Sequence, residues 1–488
     1  MMKPSLDETR ELACSYTVIP VYKEIYADTK APISLLKNIS TFSSRYYLLE
    51  SVEGGEKWGR YSFIGFDPVV QIKCKNGILE IKNGVTTRQE ITNPADKIRE
   101  ILAEYKAPKL DFLPSFTGGF VGYFSYDYIK YTEKSLNFGA ESNFYDLDLM
   151  LFEKIIAYDH LRQKIFIIIN VKTNDLEINY NKAEMEINQI IRLVKSHPVD
   201  DHEQKSQQRS EFSSEITKQS FCDMVKKAQE YIKNGDIFQV VLSRTFKADF
   251  SGSLLNTYRA LRTINPSPYM FFIKSDDLEI AGASPETLVK LQSGRLSTFP
   301  AAGTRHRGQT DEEDQRLASE LLQDEKELAE HNMLVDLARN DIGRVSKFGS
   351  VKVSEYMKIH RFSHVMHITS IVNGEISENK DALDAIAYAL PAGTLSGAPK
   401  IRACEIIHEL EPHARGIYGG AIGYIDFSGN MDVCIAIRMA IKQGDQLVIQ
   451  SGAGIVADSV PEKEYMECEN KAKAMLTAVK LSMEEMES

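Results

Sequence analysis

The chain has 488 residues, with 58 Lys plus Arg against 69 Asp plus Glu, a formal net charge of −11. That balance speaks against a nucleic-acid binder, which presents a concentrated positive face. Hydrophobic residues make up 43%, enough for a core, which excludes wholesale disorder, and no apolar run approaches the ~20 residues that span a bilayer.

The N-terminus carries Asp7, Glu8 and Glu11 and no apolar stretch, so no secretory signal is expected. Val69–Leu79 alternates around Asn76-Gly77, a two-residue hairpin signal. Pro94–Glu104 reads as a helix, Phe116–Tyr128 as a glycine-rich aromatic strand, and Lys154–Val171 as a strand pair. A helix over Asn181–Val194 runs into residues 196–215, a polar stretch without periodicity. The chain is divided there into an N-terminal subdomain (1–195), a polar linker or surface loop (196–215) and a C-terminal domain (216–488).

Lys218–Asn234 is an amphipathic helix with Gly235 just past its end, and Ile237–Phe246 alternates as a strand. Asp311–Asn340 is expected as one long helix. Lys358–Val372 is rich in β-branched residues and reads as a strand, which splits His360 and His364 from His367 and disfavours a triple-histidine metal site. Ala421–Phe427, Val433–Ile441 and Leu447–Ser451 read as strands. Pro461–Met483 is the last helix, capped by Asp458 or Ser459. Strands come in adjacent runs, so the fold class expected is α+β, a body of antiparallel sheets sandwiched between helices. The six cysteines are scattered, with no C-x-x-C pair, and read as reduced thiols in a cytoplasmic protein.

Two carboxylate pairs stand out. Glu327 and Glu330 lie three apart on one helix, and Glu464 and Glu467 three apart on the last, so each pair shares a face. Two such faces meeting would suit a hard cation such as Mg²⁺, which takes one or two carboxylates, water and an anionic substrate group. Taken singly, each pair also fits a solvated helix face. Glycine runs at Gly118-Gly119, Pro391–Lys400, Gly416–Gly423 and Gly452–Gly454 allow close backbone approach, and Arg305, Lys400 and Arg438 supply cations near them.

Read in order, EKELAEHNMLVDLARNDIGR, FSHVMHITS, AGTLSGAPK, RGIYGGAIGY, CIAIR and SGAGIVADSVPEKEYMECENK resemble the chorismate-binding enzymes. YYLLES and RYSFIG near the N-terminus are similar to the anthranilate synthase component I branch of that family. Water-adding members carry a lysine where this chain has Gln239, which cannot act as a general base. Para-aminating members carry a nucleophilic lysine in a P-I-K-G-T motif, which here is Pro300-Ala301-Ala302-Gly303-Thr304. Both departures imply ammonia attack ortho to the side-chain carboxylate, giving anthranilate and pyruvate through an aminodeoxyisochorismate intermediate. Aminodeoxychorismate synthase and a catalytically silent tryptophan-sensing module are the alternatives.

The resemblance further implies Mg²⁺ held by Glu330 and Glu467, with Glu327 and Glu464 supporting through water. It implies Glu286 as general acid, with a pKa raised by desolvation and neighbouring carboxylates, and His367 assisting aromatisation. Tyr418 and Arg438 would hold the enolpyruvyl carboxylate with the backbone of Gly452, Ala453 and Gly454; Gly303, Thr304, Thr394 and Lys400 complete the pocket. Glu50, Ser51, Pro268, Tyr269 and Met270 would bind tryptophan as a feedback inhibitor, joined by Lys57, Arg60 or Ser62. No cysteine sits in a G-x-C-x-G context, so a separate glutamine amidotransferase small subunit is expected, in a heterotetramer of two large and two small subunits.

Overall fold

The computed structural model describes residues 2–28, 30–51, 59–136, 142–196, 206–361 and 365–484. Two antiparallel sheets, each of twelve strands among these residues, form the frame. The first sheet runs Val18–Tyr26, Lys164–Lys172, Lys154–Asp159, Tyr61–Phe66, Arg45–Glu50, Tyr269–Ser275, Leu278–Ser284, Met439–Gln443, Gln446–Ile455, Gln239–Ser251 and Gln207–Gln208. Gly397–Ala398 adds a short strand beside Gln239. The second sheet starts at Ala301–His306, passes through Val365–Glu375, Thr287–Gln292 and Met431–Ile435, and ends at Val85–Glu90. Both sheets take strands from either side of the polar stretch at 196–215.

Alternation places one face of the first sheet against the second sheet and the other under helices. Tyr47, Phe63, Phe271 and Ile273 join Phe120, Leu149, Val289 and Val433 in the core between the sheets. Their chain neighbours Tyr46, Leu48, Phe272 and Met270 point the opposite way and pack with Leu36, Ile187, Leu261 and Met475 of the covering helices. The Asn76-Gly77 turn forms as expected, with both residues at positive φ (50° and 77°) between strands Val70–Lys75 and Ile78–Asn83.

Four expectations change. The helix expected over Asp311–Asn340 is two helices, Asp311–Leu321 and Glu325–Gly343. Asp324 breaks it by accepting the Lys326 and Glu327 N–H groups as an N-cap. The strand expected over Val433–Ile441 is two strands, Met431–Ile435 in the second sheet and Met439–Gln443 in the first. The turn between them holds Arg438 at φ 49°. Lys358–Val372 covers parts of two antiparallel strands, Lys352–Arg361 and Val365–Glu375, in which His360 lies opposite His367; His364 lies outside the described residues. Val460 occupies the N-cap of Pro461–Met483, while the Ser459 hydroxyl accepts from Val456 N–H instead.

A second passage between sheets lies beside the Met431–Gln443 one. Leu278–Ser284 belongs to the first sheet and Thr287–Gln292 to the second, so the chain crosses at Pro285-Glu286. The two crossings are bonded together: Ile435 N–H donates to the Glu286 carbonyl and Ala283 N–H to the Arg438 carbonyl, each at 3.0 Å. Gly282 permits this closeness, since a β-carbon there would lie 2.3 Å from the Phe271 ring and 2.8 Å from Met439 Cβ. Gly282→Ala should therefore destabilise the protein by about 1–3 kcal/mol through overpacking, read as a lowered urea midpoint.

Candidate active site

Glu286 sits at the crossing, partly accessible, and lines a small pocket of about 40 Å³ with Thr287, Pro300, Leu337, Asp341 and Thr394. Burial pushes its carboxyl up to about 7; the Thr394 hydroxyl, which donates to Oε1 at 3.2 Å, and the charges of Arg438 and Lys471 oppose that rise. The expected direction holds, but its cause is desolvation alone, because the groups that face Glu286 are hydrogen-bonding and cationic. Thr394 lies in the short turn Gly393–Leu395.

His367 comes from Val365–Glu375, the neighbour of Ala301–His306. Its Nδ1 lies 3.1 Å from both the Gly303 carbonyl and Thr304 Oγ1. A carbonyl only accepts, so Nδ1 carries the proton of the neutral ring. Burial leads in lowering the His367 pKa, with the Arg438 charge adding to it. Gly303 has φ 67°, and a β-carbon there would meet Glu327 Oε2 at 3.2 Å. This strand and the helix Glu325–Gly343 thus approach through a residue without a side chain.

The two Glu-bearing helices bring their carboxylates within electrostatic reach of one another. The Glu330 carboxyl is raised by burial first, then by the charges of Glu327 and Glu467. That of Glu464 is raised by burial first, and by Glu467. Glu330 is open to water. Cations intersperse the carboxylates: Lys471 pairs with Glu467 at 2.7 Å, and Arg305 reaches Glu327 at 3.4 Å and Asp324 at 2.9 Å. Among the described residues no group of three or more His, Cys, Asp or Glu side chains is placed to hold a metal ion. Glu330 and Glu467, open to water, are at most the one or two carboxylates that a hard cation completed by water and ligand oxygens takes.

Beside these groups Gln239–Ser251 pairs with Gln446–Ile455, so that Val241 faces Gly454, Leu242 faces Ala453 and Ser243 faces Gly452. Gln239 is 5% exposed, and its carboxamide oxygen has no hydrogen-bond partner. Tyr418 is buried with its hydroxyl 3.0 Å from where a Gly452 β-carbon would lie. Arg438 is exposed at the crossing, its charge felt by both Glu286 and His367. Lys400 does not join these groups. It pairs with Asp341 at 2.8 Å and donates to the carbonyls of Tyr388 and Ala389, so its ammonium ties down the end of helix Ala382–Ala389. Lys471 is the residue that sequence reasoning missed. It donates to the Gly452 carbonyl at 3.1 Å, and its place four residues after Glu467 on one helix was the available signal.

A second cavity of about 490 Å³ opens between the sheets. Glu50, Ser51, Pro268, Tyr269 and Met270 all line it, because Arg45–Glu50 pairs with Tyr269–Ser275. Glu50 is buried and accepts from Tyr258 at 2.9 Å and Arg262 at 2.7 Å. Arg60 is engaged with Asp159 at 2.7 Å and Ser62 with His160 at 2.7 Å; Lys57 lies outside the described residues. The Tyr269 hydroxyl lies 2.8 Å from both Thr287 and Asp432, and Lys290 pairs with Asp432 at 2.8 Å. Sequence reading missed Lys290 and Asp432, which come from strands with no local motif.

Residues 44–477 match the chorismate binding enzyme family. The chain belongs to that family. It is 49% identical to anthranilate synthase component 1 of Acetivibrio thermocellus, over 98% of this chain and 99% of that one. It is 47% identical to the component 1 of Aquifex aeolicus, over 99% of each. The crystal structure of anthranilate synthase component I from Streptococcus pneumoniae TIGR4 superposes with a TM-score of 0.77 at 39% identity, covering 87% of this chain and 95% of that one. The α+β fold of the family is thus the fold of this chain, and no described helix is long and apolar enough to cross a membrane.

The Glu286 carboxyl should titrate near pH 7, followed by carbon-13 NMR of glutamate-labelled protein. Thr394→Val should move that titration higher, since the bond from Thr394 favours the ionised form.

Proposed function

We propose that this chain is the large subunit of an anthranilate synthase, converting chorismate and ammonia to anthranilate and pyruvate in the first committed step toward tryptophan. The observation that carries this reading is end-to-end kinship with anthranilate synthase component 1 chains, together with Gln239 and Ala302 where water-adding and para-aminating relatives would need lysines. Ala302 disfavours aminodeoxychorismate synthesis, and Gln239 disfavours water addition.

Glu286 supplies the first proton. At its raised pKa it is held as the acid near neutral pH, and it donates to the ring hydroxyl that leaves as water while ammonia adds at the position ortho to the carboxylate. Thr394 fixes the Oε1 face of that carboxyl. Gln239, with an unsatisfied amide oxygen, accepts from the incoming ammonia without removing its proton. His367, protonated on Nδ1, is positioned to take the ring proton at Nε2 when the enolpyruvyl group departs as pyruvate and the ring aromatises. Arg438, Tyr418 and the Gly452–Gly454 backbone hold the enolpyruvyl carboxylate. Lys471 and the Gly303-Thr304 segment complete the site. Mg²⁺ held by Glu330 and Glu467, with Glu327 and Glu464 supporting through water, would offset the charge of the ring carboxylate and orient the ring.

Ammonia comes from glutamine through a partner amidotransferase small subunit, in a two-plus-two assembly. The 490 Å³ cavity is the tryptophan site, of a size usual for small-molecule pockets, with flat surface at Tyr269 and Met270.

Incubation with chorismate, Mg²⁺ and ammonium should yield fluorescent anthranilate and pyruvate; a para-amino product without pyruvate would overturn the reading. Glu286→Gln should cost roughly 10²–10⁴-fold in kcat, the usual worth of a general acid. Glu330→Gln should remove Mg²⁺-dependent turnover with the circular dichroism spectrum unchanged; retained turnover would defeat the metal assignment. Ser51→Phe should raise the tryptophan concentration for half-inhibition at least about tenfold while ammonia-dependent activity persists.

A further inference from the structure

Arg415 is 3% exposed, buried among the turn Gly393–Leu395, the strand Gln239–Ser251 and the rings of Tyr126 and Tyr418. Its Nη1 donates to the Leu395 carbonyl at 2.5 Å and its Nη2 to the Val241 carbonyl at 2.6 Å. Nε and Nη2 also fork onto Glu411, at 2.9 and 2.5 Å. Glu411 is itself held by the Ser243 N–H and hydroxyl at 2.8 and 3.0 Å. The guanidinium lies 4.7 Å from the Tyr126 ring centroid and 6.0 Å from that of Tyr418.

Each of these partners leads to a reacting group. Leu395 follows Thr394, whose hydroxyl bonds Glu286. Val241 lies two residues beyond Gln239 on the same strand. Tyr418 lies next to Gly452. Stability alone does not call for such a group, because well-packed apolar residues commonly replace a buried ion pair without loss. What an apolar side chain cannot do is hold two carbonyls and a carboxylate in one plane, and the ammonium of lysine, a point charge, cannot span them either.

We propose that Arg415 is a positioning residue for the amination, clamping the Thr394–Leu395 turn to the strand of Gln239 and thereby setting the hydrogen bond from Thr394 to the general acid. The proposal rests on the reaction proposed above. Arg415 meets no substrate and acts through Thr394 and Glu286. Besides Thr394, the charges that bear on Glu286 are Arg438 and Lys471, and neither is bonded to Arg415.

Wild type, Arg415→Lys, Thr394→Val and the double variant are compared in the chorismate, Mg²⁺ and ammonium assay, across pH at constant free ammonia. Arg415→Lys should lose about 10–100-fold in kcat, the scale of a misplacement near 1 Å. The basic limb of its kcat/KM profile should move to higher pH, as in Thr394→Val. The double variant should be within about twofold of Thr394→Val alone, because coupled residues do not add. An unmoved limb, or losses that multiply, would overturn the proposal. Glu411→Gln loosens the same clamp while keeping the guanidinium, and should shift the limb in the same direction by less. If neither variant folds, Arg415 serves folding and the proposal fails. A wild type that makes no anthranilate would sink only the reaction reading, since the carbon-13 titration of Glu286 in Arg415→Lys still reads the clamp: an upward shift supports it and no shift overturns it.

Discussion

The site depends on one arrangement, the chain passing twice between the same two sheets at the same place. Pro285-Glu286 and Ala436–Arg438 are adjacent corners joined by two backbone hydrogen bonds. A corner between packed sheets is removed from water on several sides while its end opens into a cleft. A carboxylic acid placed there loses hydration and gains no carboxylate neighbour, which is why burial rather than repulsion raises Glu286. The same corner sets Arg438 within electrostatic reach of both Glu286 and His367.

Around that corner opposite charges alternate. Carboxylates lie on helices Glu325–Gly343 and Pro461–Met483, with Glu330 and Glu467 open to water. Cations sit among them: Lys471 touches both Glu467 and the Gly452 carbonyl, and Arg305 spans Asp324 and Glu327. The cavity lined by Ser51 and Met270 shares its wall with this region, since Tyr269 is bonded to Thr287, the residue after Glu286.

Much of this was legible before folding. Helix Lys218–Lys233, the Asn76-Gly77 hairpin and the last helix follow from local signals: an amphipathic period, a turn dipeptide, a proline in the first turn. The i, i+3 spacing of Glu327 with Glu330 and of Glu464 with Glu467 showed two acidic faces. That Glu467 lies within electrostatic reach of Glu330 is decided by the tertiary fold, across more than a hundred residues of chain. The reading of Val433–Ile441 as one strand failed because apolar alternation continues through Ala436-Ile437 while the backbone turns at Arg438. Lys400 looked like a substrate cation beside a glycine run, and only Asp341, far off in sequence, shows where its charge goes.

The sequence by itself determined the class of fold and the family, because period, turn chemistry and motif order are local and survive without coordinates. Tertiary structure alone decided that burial raises the Glu286 carboxyl, that Lys400 is tied to Asp341 while Lys471 bridges Glu467 and the Gly452 carbonyl, and that Arg415 joins Leu395, Val241 and Glu411 in space. Desolvation, ion pairing and hydrogen-bond geometry are properties of neighbours, and the chain's order does not specify who those neighbours are.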